Sequence, residues 1–148
     1  MLRAGGKTIA LATSCTLTTT TVTIDGRTKD DASGPAEEFD RVDWNASSEN
    51  LVGRNENVTA EMVYSDLLAL QLAGTPVELS MELITNSTSA IPTTGWTPES
   101  AEKAQERGFA PVKGNALIES LNLSAPGEGN ATLSVNFKGV GPINIITQ

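Results

Sequence analysis

The stretch that decides the fold is NALIESLNLSAPGEGNATLSVNFKGVGPI, residues 115–143. Apolar and polar residues alternate over residues 117–124 and again over residues 131–137, which is the period of strands with one buried face. The connecting hexapeptide APGEGN is rich in proline and glycine and favours a chain reversal. The stretch therefore predicts an antiparallel hairpin. Its second strand places Ala131, Leu133, Val135 and Phe137 on one face and Thr132, Ser134, Asn136 and Lys138 on the other.

A strand and a helix are predicted upstream of this hairpin. The segment VELSMELI, residues 77–84, alternates in the same way and predicts a half-buried strand with Glu78, Ser80 and Glu82 on its polar face. Before it, Val63, Leu67 and Leu70 recur at helical spacing and predict a helix over about residues 60–73. Thr59 is its predicted N-cap, and Gly74 followed by Pro76 ends it.

The amino-terminal run over residues 7–24 is dominated by threonine, isoleucine, valine and leucine, which predicts one long strand or two strands joined by a bend. Leu17 falls on one parity, whereas Val22 and Ile24 fall on the other. Because an odd shift moves every side chain to the opposite face, a continuous buried face requires a bulge, which we place within residues 18–21.

Two long polar excursions interrupt the predicted strands. The first is DGRTKDDASGPAEEFDRVD, residues 25–43, which predicts a loop over about residues 25–41 and a new strand near Arg41. The second spans about residues 85–111 and contains TPESAEKAQERG, which predicts a short helix opened by Thr97 and Pro98. Charge pairs at i, i+4 in that helix are typical of a solvated surface, although a partner-binding helix is an alternative.

Trp44 is predicted to lie in the core. It shares the apolar parity of Val42 and Ala46 in the strand that follows the first excursion. Residues on the apolar parity of separate elements should meet in one core, and we expect this of Trp44, Leu67, Leu70, Leu79 and Val135.

The composition argues against several classes of protein. A net charge of −8 argues against a sequence-reading nucleic-acid binder. The chain has no histidine, so a Ser-His-Asp or Cys-His site is impossible, and we predict no enzyme. The lone Cys15, in TSCTLT, is interpreted as a small buried hydrophobe. Paired acids at residues 30–31 and 37–38 lack the ligand spacing of an EF-hand, so neither metal nor cofactor is predicted.

No membrane insertion is predicted. No stretch of the sequence approaches the roughly 20 apolar residues of a membrane span. The beginning, MLRAGGKTIALATSC, has too short and too polar a centre for a signal peptide, which predicts synthesis in the cytosol.

The order of these segments resembles the major tail (tail tube) proteins of tailed bacteriophages and prophages. The resemblance rests on TIALATSCTLTTTTVTIDGRTKDDASG, NLVG, LLALQLAGTPVEL and GNALIESLNLSAPGEGNATLSVNFKGVGPI. Its most specific parts are ATSCTLT leading to TKDDASG, and the carboxy-terminal unit ending in FKGVGP. Residues 85–111 match poorly.

The resemblance implies a mainly β fold, with two antiparallel sheets in a β-sandwich or partly closed barrel and one flanking α-helix. The length of 148 residues fits a single tail-tube-like domain. The implied role is structural: homohexameric rings stack into a tube whose lumen conducts DNA without specific binding. Tape-measure and tail-terminator or baseplate proteins are further implied partners. The implied location is the virion tail, after assembly in the bacterial host cytoplasm.

In such tubes, long loops between strands reach neighbouring subunits or the next ring, so the first excursion is assigned to assembly rather than to an idle surface loop. The candidate subunit-interface residues are Lys29, Asp30, Asp31, Glu37, Glu38, Phe39 and Arg41. Two alternative sets are candidates for the lumen face, namely Glu78, Ser80 and Glu82, or Thr132, Ser134 and Asn136. Either set is also consistent with an outer surface. An acidic wall would keep DNA from adhering, although the negative net charge also serves solubility.

The alternative function is a free β-sandwich module that binds carbohydrate or acts as an adhesin. It would use Trp44 and Trp96 as stacking platforms. Trp96, beside Gly95 and Pro98, is the better candidate for an exposed ring.

Overall fold

The computed structural model describes residues 2–9, 12–26, 37–52, 61–83 and 99–147 of the chain. Most of these residues lie in strands. The strands are β1 (Leu2–Ala4), β2 (Lys7–Ile9), β3 (Ala12–Asp25), β4 (Glu37–Val52), β5 (Glu61–Met62), β6 (Val77–Met81), β7 (Val112–Ser124) and β8 (Ala131–Ile145). The helices are α1 (Tyr64–Ala73) and α2 (Ala101–Glu106).

The described strands form one open sheet in the order β3-β4-β8-β7-β6-β1-β2-β5. Neighbouring strands are antiparallel except for β2 and β5, which are parallel. The predicted mainly β fold with a flanking helix is confirmed. The finer arrangement differs from the predicted two sheets, because β4 pairs with β3 on one side and with β8 on the other. Since each of the other described strands is likewise paired with its neighbours in this order, the described strands form one sheet and not two.

One face of this sheet carries the hydrophobic core. The buried cluster comprises Leu2, Ala4, Ile9, Trp44, Ala46, Leu67, Val77, Leu79, Ala116, Ile118, Leu133, Val135 and Phe137. Leu70 of α1 packs against it. The predicted shared core of Trp44, Leu67, Leu70, Leu79 and Val135 is therefore confirmed. The alternation over β8 is confirmed as well, since Leu133, Val135 and Phe137 are buried and their sequence neighbours are more exposed.

The first polar excursion is shorter than predicted. β4 begins at Glu37, so Glu37, Glu38, Phe39 and Arg41 belong to a strand and not to a loop. The reason is cross-strand pairing: Thr23 lies opposite Phe39, a combination of β-branched and aromatic side chains that favours a sheet. The remaining interface candidates, Lys29, Asp30 and Asp31, lie outside the described residues.

The predicted bulge within residues 18–21 is wrong. These threonines pair in regular register with β4, and the irregularities fall between Ala12 and Ser14 and between Val22 and Thr23. The prediction assumed that one face of β3 stays buried along its whole length. Past Trp44, however, both faces of the β3–β4 hairpin are largely exposed, so Val22 is under no constraint to share the face of Leu17.

Helix α1 starts later than predicted, at Tyr64 after an extended Val63. The predicted start fails because Glu61 and Met62 form β5, which pairs with β2. Thr59 lies outside the described residues. The predicted end is confirmed: Gly74 has a left-handed backbone (φ 61°), and the amide of Thr75 donates to the carbonyl of Leu70 at 3.2 Å.

The second excursion contains the predicted short helix. α2 covers Ala101–Glu106, with Ala101 and Ala104 buried, and β7 follows from Val112. Thr97 and Pro98, predicted to open this helix, lie outside the described residues, as does Trp96.

Candidate assembly surfaces

The polar sides of β6 and β8 belong to one surface. Residues directly opposite one another in paired strands point to the same side of a sheet. Glu78 and Ser80 of β6 lie opposite Asn115 and Lys113 of β7. Further along β7, Leu117 lies opposite Lys138 of β8. The two candidate lumen sets, predicted as alternatives, therefore lie on the same side of the sheet, opposite the core.

This side continues across β4 and β3. Ser47 of β4 lies opposite Asn136 of β8 and, on its other flank, opposite Thr16 of β3. The amide of Asn136 also donates to the hydroxyl of Ser120 at 2.8 Å. We call this surface the polar face. The apolar Leu51, Leu117 and Val140 lie on it as well. Its polar members are Ser14, Thr16, Thr18, Asn45, Ser47, Glu49, Glu78, Ser80, Lys113, Asn115, Ser120, Asn122, Ser124, Thr132, Ser134, Asn136 and Lys138.

The polar face mixes charges of both signs. Glu49 and Glu78 share it with Lys113 and Lys138. At its β6 end, Ser80 donates to Glu82 at 2.5 Å, and Arg3 lies 3.8 Å from the same carboxylate oxygen. The remaining side chains are mostly hydroxyls and amides. The described residues therefore form a mostly hydrophilic and nearly charge-balanced surface, and not a strongly acidic one.

The far end of the β3–β4 hairpin projects beyond the core. The last pair that joins β4 to β8 is Asn45 with Lys138, and among the described residues β4 continues from there paired only with β3. We call residues 20–25 and 37–43 the distal hairpin. All its residues are exposed apart from the half-buried Val22. The exposed fractions of its apolar residues reach 67% for Phe39 and 50% for Ile24.

The acids of the distal hairpin outnumber its bases. Asp25 lies directly opposite Glu37, with Glu38 next in the strand. Arg41 is held within its own strand, 2.6 Å from Asp40 and 3.0 Å from Asp43. The hydrogen bond to Asp43 and the charges of Asp43 and Asp40 raise the pKa of Arg41 above its ordinary value. Arg41 therefore stays cationic, and its charge is already matched by acids of the same strand.

A cleft of about 530 Å³ opens where β4 and β8 part. Phe39, Val42 and Trp44 line it from β4, and Pro142 and Ile143 line it from β8. Trp44 is only 5% exposed, and its indole N–H donates to the carbonyl of Gly141 at 3.0 Å. Trp44 is therefore a core residue, as predicted, and does not offer a free stacking platform.

Two glycines that sequence reasoning missed make room for this indole. A Cβ at Gly139 would lie 2.3 Å from Trp44 Cε2, and a Cβ at Gly114 would lie 2.6 Å from Trp44 Cζ2. Real Cβ contacts are essentially never that short. For Gly139 the signal was present in the motif FKGVGP, and for Gly114 in VKGNALI, because glycine inside a strand pattern often marks close approach of another group to the backbone.

Cys15 packs beside the core but is only half-buried and not fully buried as predicted, with its sulfur 3.8 Å from the hydroxyl of Ser48. In the part of the chain that the structure describes, no group of three or more His, Cys, Asp or Glu residues is placed to hold a metal ion. Within the same ranges, no helix has the length and apolar character needed to cross a membrane.

The fold has counterparts among solved tail structures. A chain in the virion of a native gene transfer agent particle superposes with a TM-score of 0.61 at 13% identity, covering 95% of this chain and 88% of that chain. The tail of an empty gene transfer agent particle, refined with C6 symmetry, gives 0.57 at 15% identity, covering 95% and 86%. The SPP1 tail tube gives 0.56 at 10% identity, covering 95% and 73%.

No protein-family model matches the sequence, and no curated protein matches it. The resemblance to tail tube proteins is confirmed at the level of the fold, because the match covers nearly the whole chain despite low identity. The chain has the fold found in these gene transfer agent and tail tube structures.

Proposed function

We propose that this protein is a structural subunit of a phage or prophage tail tube, and that it assembles into stacked hexameric rings whose lumen conducts DNA. The shared fold supports a tail tube role, and the C6 symmetry of the gene transfer agent tail supports a sixfold ring. The proposed role involves no catalysis.

The observation that carries the proposal is the division of the sheet into two unlike faces. The core and α1 occupy one side, whereas the polar face extends over five adjacent strands on the other. Within one subunit, the apolar face of the sheet covers the core and the polar face is left to solvent. Six copies placed side by side would join their polar faces into a continuous hydrophilic wall. Since this wall is rich in hydroxyls and amides and nearly balanced in charge, it would let DNA pass without binding it strongly.

The contacts between copies are assigned to the sheet edge and the distal hairpin. β3 is an edge strand of 14 residues, and one flank of its backbone pairs with no described strand. Such an edge is a ready template for pairing with another chain. The distal hairpin adds exposed Phe39, Ile24 and Val42 beyond the body of the subunit. If the edge and the hairpin bind different surfaces of the next copy, the contact is head-to-tail. Repeating such a contact gives a closed ring when the rotation between neighbouring subunits is a whole fraction of a full turn.

Glu37, Glu38 and Phe39 remain proposed interface residues, because all three are exposed on the distal hairpin. Arg41 is proposed to support them through its pairs with Asp40 and Asp43, since those pairs already engage its charge. Lys29, Asp30 and Asp31 are retained as proposed interface residues from the sequence. In the assembled tail, tape-measure and tail-terminator or baseplate proteins are the proposed partners. The virion tail is the proposed location, after assembly in the host cytoplasm.

Electron microscopy of the purified protein tests the proposal. Over a range of protein concentrations, negative-stain images should show rings or tubes, and native mass spectrometry of gently prepared samples should find a sixfold species. A protein that remains monomeric or dimeric at every concentration and salt condition would contradict the proposal. That outcome would favour the free binding module, although the buried Trp44 already removes one of its two stacking platforms.

A further inference from the structure

The distal hairpin combines features that promote self-association with features that oppose it. Phe39, Ile24 and Val42 are 67%, 50% and 37% exposed, on a hairpin whose outer strand, β3, is at the edge of the sheet that the described strands form. Exposed apolar side chains on an open edge favour pairing between copies of a chain. An isolated subunit with such a hairpin is at risk of associating too early.

Acids accompany each of these apolar residues. Phe39 lies between Glu38 and Asp40, Val42 precedes Asp43, and Ile24 precedes Asp25. Across the hairpin, Asp25 lies directly opposite Glu37, a like-charge pair that costs stability in a sheet. The two strands therefore concentrate negative charge where the hairpin is most apolar.

The charges elsewhere decide whether this negative charge attracts or repels a second copy. Arg41, within the hairpin, is matched by Asp40 and Asp43. Arg3 and Arg107 lie within salt-bridge distance of Glu82 and Glu99. Lys113 and Lys138 lie on the polar face among Glu49 and Glu78. The two remaining described bases lie apart, Lys7 on β2 and Lys103 on α2 beside Glu102. The described residues thus offer single bases and no basic patch to receive the hairpin, and the whole chain carries a net charge of −8. The electrostatic interaction between the distal hairpin and a second copy of the chain is therefore expected to be repulsive.

We propose that the acids of the distal hairpin hold back self-assembly of lone subunits by electrostatic repulsion, so that assembly proceeds when this charge is screened or neutralised. The inference rests on the proposed function, because it concerns the regulation of the same self-association. The apolar residues supply the attraction between copies, and the acids set the ionic conditions under which it prevails. Charged residues on strand edges are a known device against unwanted pairing.

The test compares three proteins at two salt concentrations. The hairpin variant is D25N/E37Q/E38Q. The matched control is E102Q/E106Q/E128Q, which removes the same number of negative charges from exposed positions on α2 and in the β7–β8 turn. The threshold protein concentration for assembly is measured by light scattering and electron microscopy at about 10 mM and about 100 mM sodium chloride, where the screening length falls from about 30 Å to about 10 Å. Thermal unfolding verifies that all three proteins are folded.

For the unaltered protein, the threshold should fall about tenfold between the low and the higher salt concentration, since several charge pairs are screened together. The hairpin variant should assemble at the lower threshold in both salts, and the control should keep most of the salt dependence. If the hairpin variant behaves like the control, or if salt raises the threshold, the inference is wrong although the proposed function stands. If neither the unaltered protein nor the hairpin variant assembles in either salt, both the proposed function and this inference fail.

Discussion

The indole of Trp44 lies directly on the backbone of Gly139. A Cβ built at Gly139 would lie 2.3 Å from Trp44 Cε2 and 2.4 Å from Trp44 Nε1. The ring thus spans the point at which β4 separates from β8, and its N–H is bound to the carbonyl of Gly141. This contact joins the core of the subunit to the base of the distal hairpin, because Trp44 is the first buried residue of β4 after Asp43.

Replacing Gly139 with alanine should destabilise the subunit. Alanine is otherwise acceptable in a strand, so any loss reports the contact with Trp44. Overpacking of this kind costs roughly 1–3 kcal/mol. The free energy of unfolding in urea should fall by that amount. Gly127→Ala is the matched control, because a Cβ there meets nothing within 4 Å. Equal stabilities of the two variants would show that the indole can move aside at little cost.

Replacing Trp44 with alanine should cost about 3–5 kcal/mol through the cavity that it leaves. In a Trp96→Phe background, the fluorescence of Trp44 should resist quenching by iodide, because the side chain is almost fully buried. An unchanged melting temperature for Trp44→Ala, or ready quenching of Trp44, would show that the ring is accessible. Either result would restore the alternative in which Trp44 binds a ligand.

The sequence predicts the buried face of a strand correctly where the surroundings of that strand stay the same along its length. The alternation over β6 and β8 identifies their buried faces correctly. Where the pattern alternates, each strand has the core on one face and solvent on the other. The pattern in β3 misleads because the strand leaves the core halfway, and a change of environment looks the same in sequence as a bulge. The acidic character of residues 37–43 similarly hides a strand, since both of its faces are solvated.

The candidate surfaces are only partly predictable. Each polar set, on β6 or on β8, is visible as an alternation, but their union into one face depends on β7 lying between them with a suitable register. Single-strand periodicity does not determine that register. The contact of Trp44 with two glycines depends on the same long-range pairing, and nothing local in either segment specifies its partner.

Labelling of single cysteines should show whether the polar face lines the lumen. In a Cys15→Ser background, Thr132→Cys places a thiol on the polar face, and Ala69→Cys places one on the exposed side of α1. A bulky polymer-linked maleimide should react with both sites in unassembled subunits. In tubes it should react with the Ala69→Cys site and be excluded from the Thr132→Cys site. The reverse selectivity would make the polar face the outer surface of the tube.

Shortening the β3–β4 hairpin should separate folding from assembly. Thr21 lies directly opposite Val42, so residues 22–41 can be replaced by Asn-Gly, the preferred sequence of a two-residue hairpin turn. The described residues removed include no member of the buried core. The free energy of unfolding should therefore change by no more than about 1 kcal/mol, and circular dichroism should show a folded sheet. Without the exposed Phe39 and Ile24, however, the subunit should form no tubes in negative-stain images.

A second variant keeps both strands and replaces only residues 27–36 with a glycine-serine segment of equal length. If the distal hairpin strands carry the contact, this variant should still assemble, with at most a higher threshold concentration.

Amides of the hairpin strands should then exchange with deuterium quickly in subunits and slowly in tubes, whereas those of α1 stay protected in both. Normal tubes from the shortened protein would place the contact elsewhere on the subunit, because no part of the distal hairpin beyond Thr21 and Val42 would remain to make it.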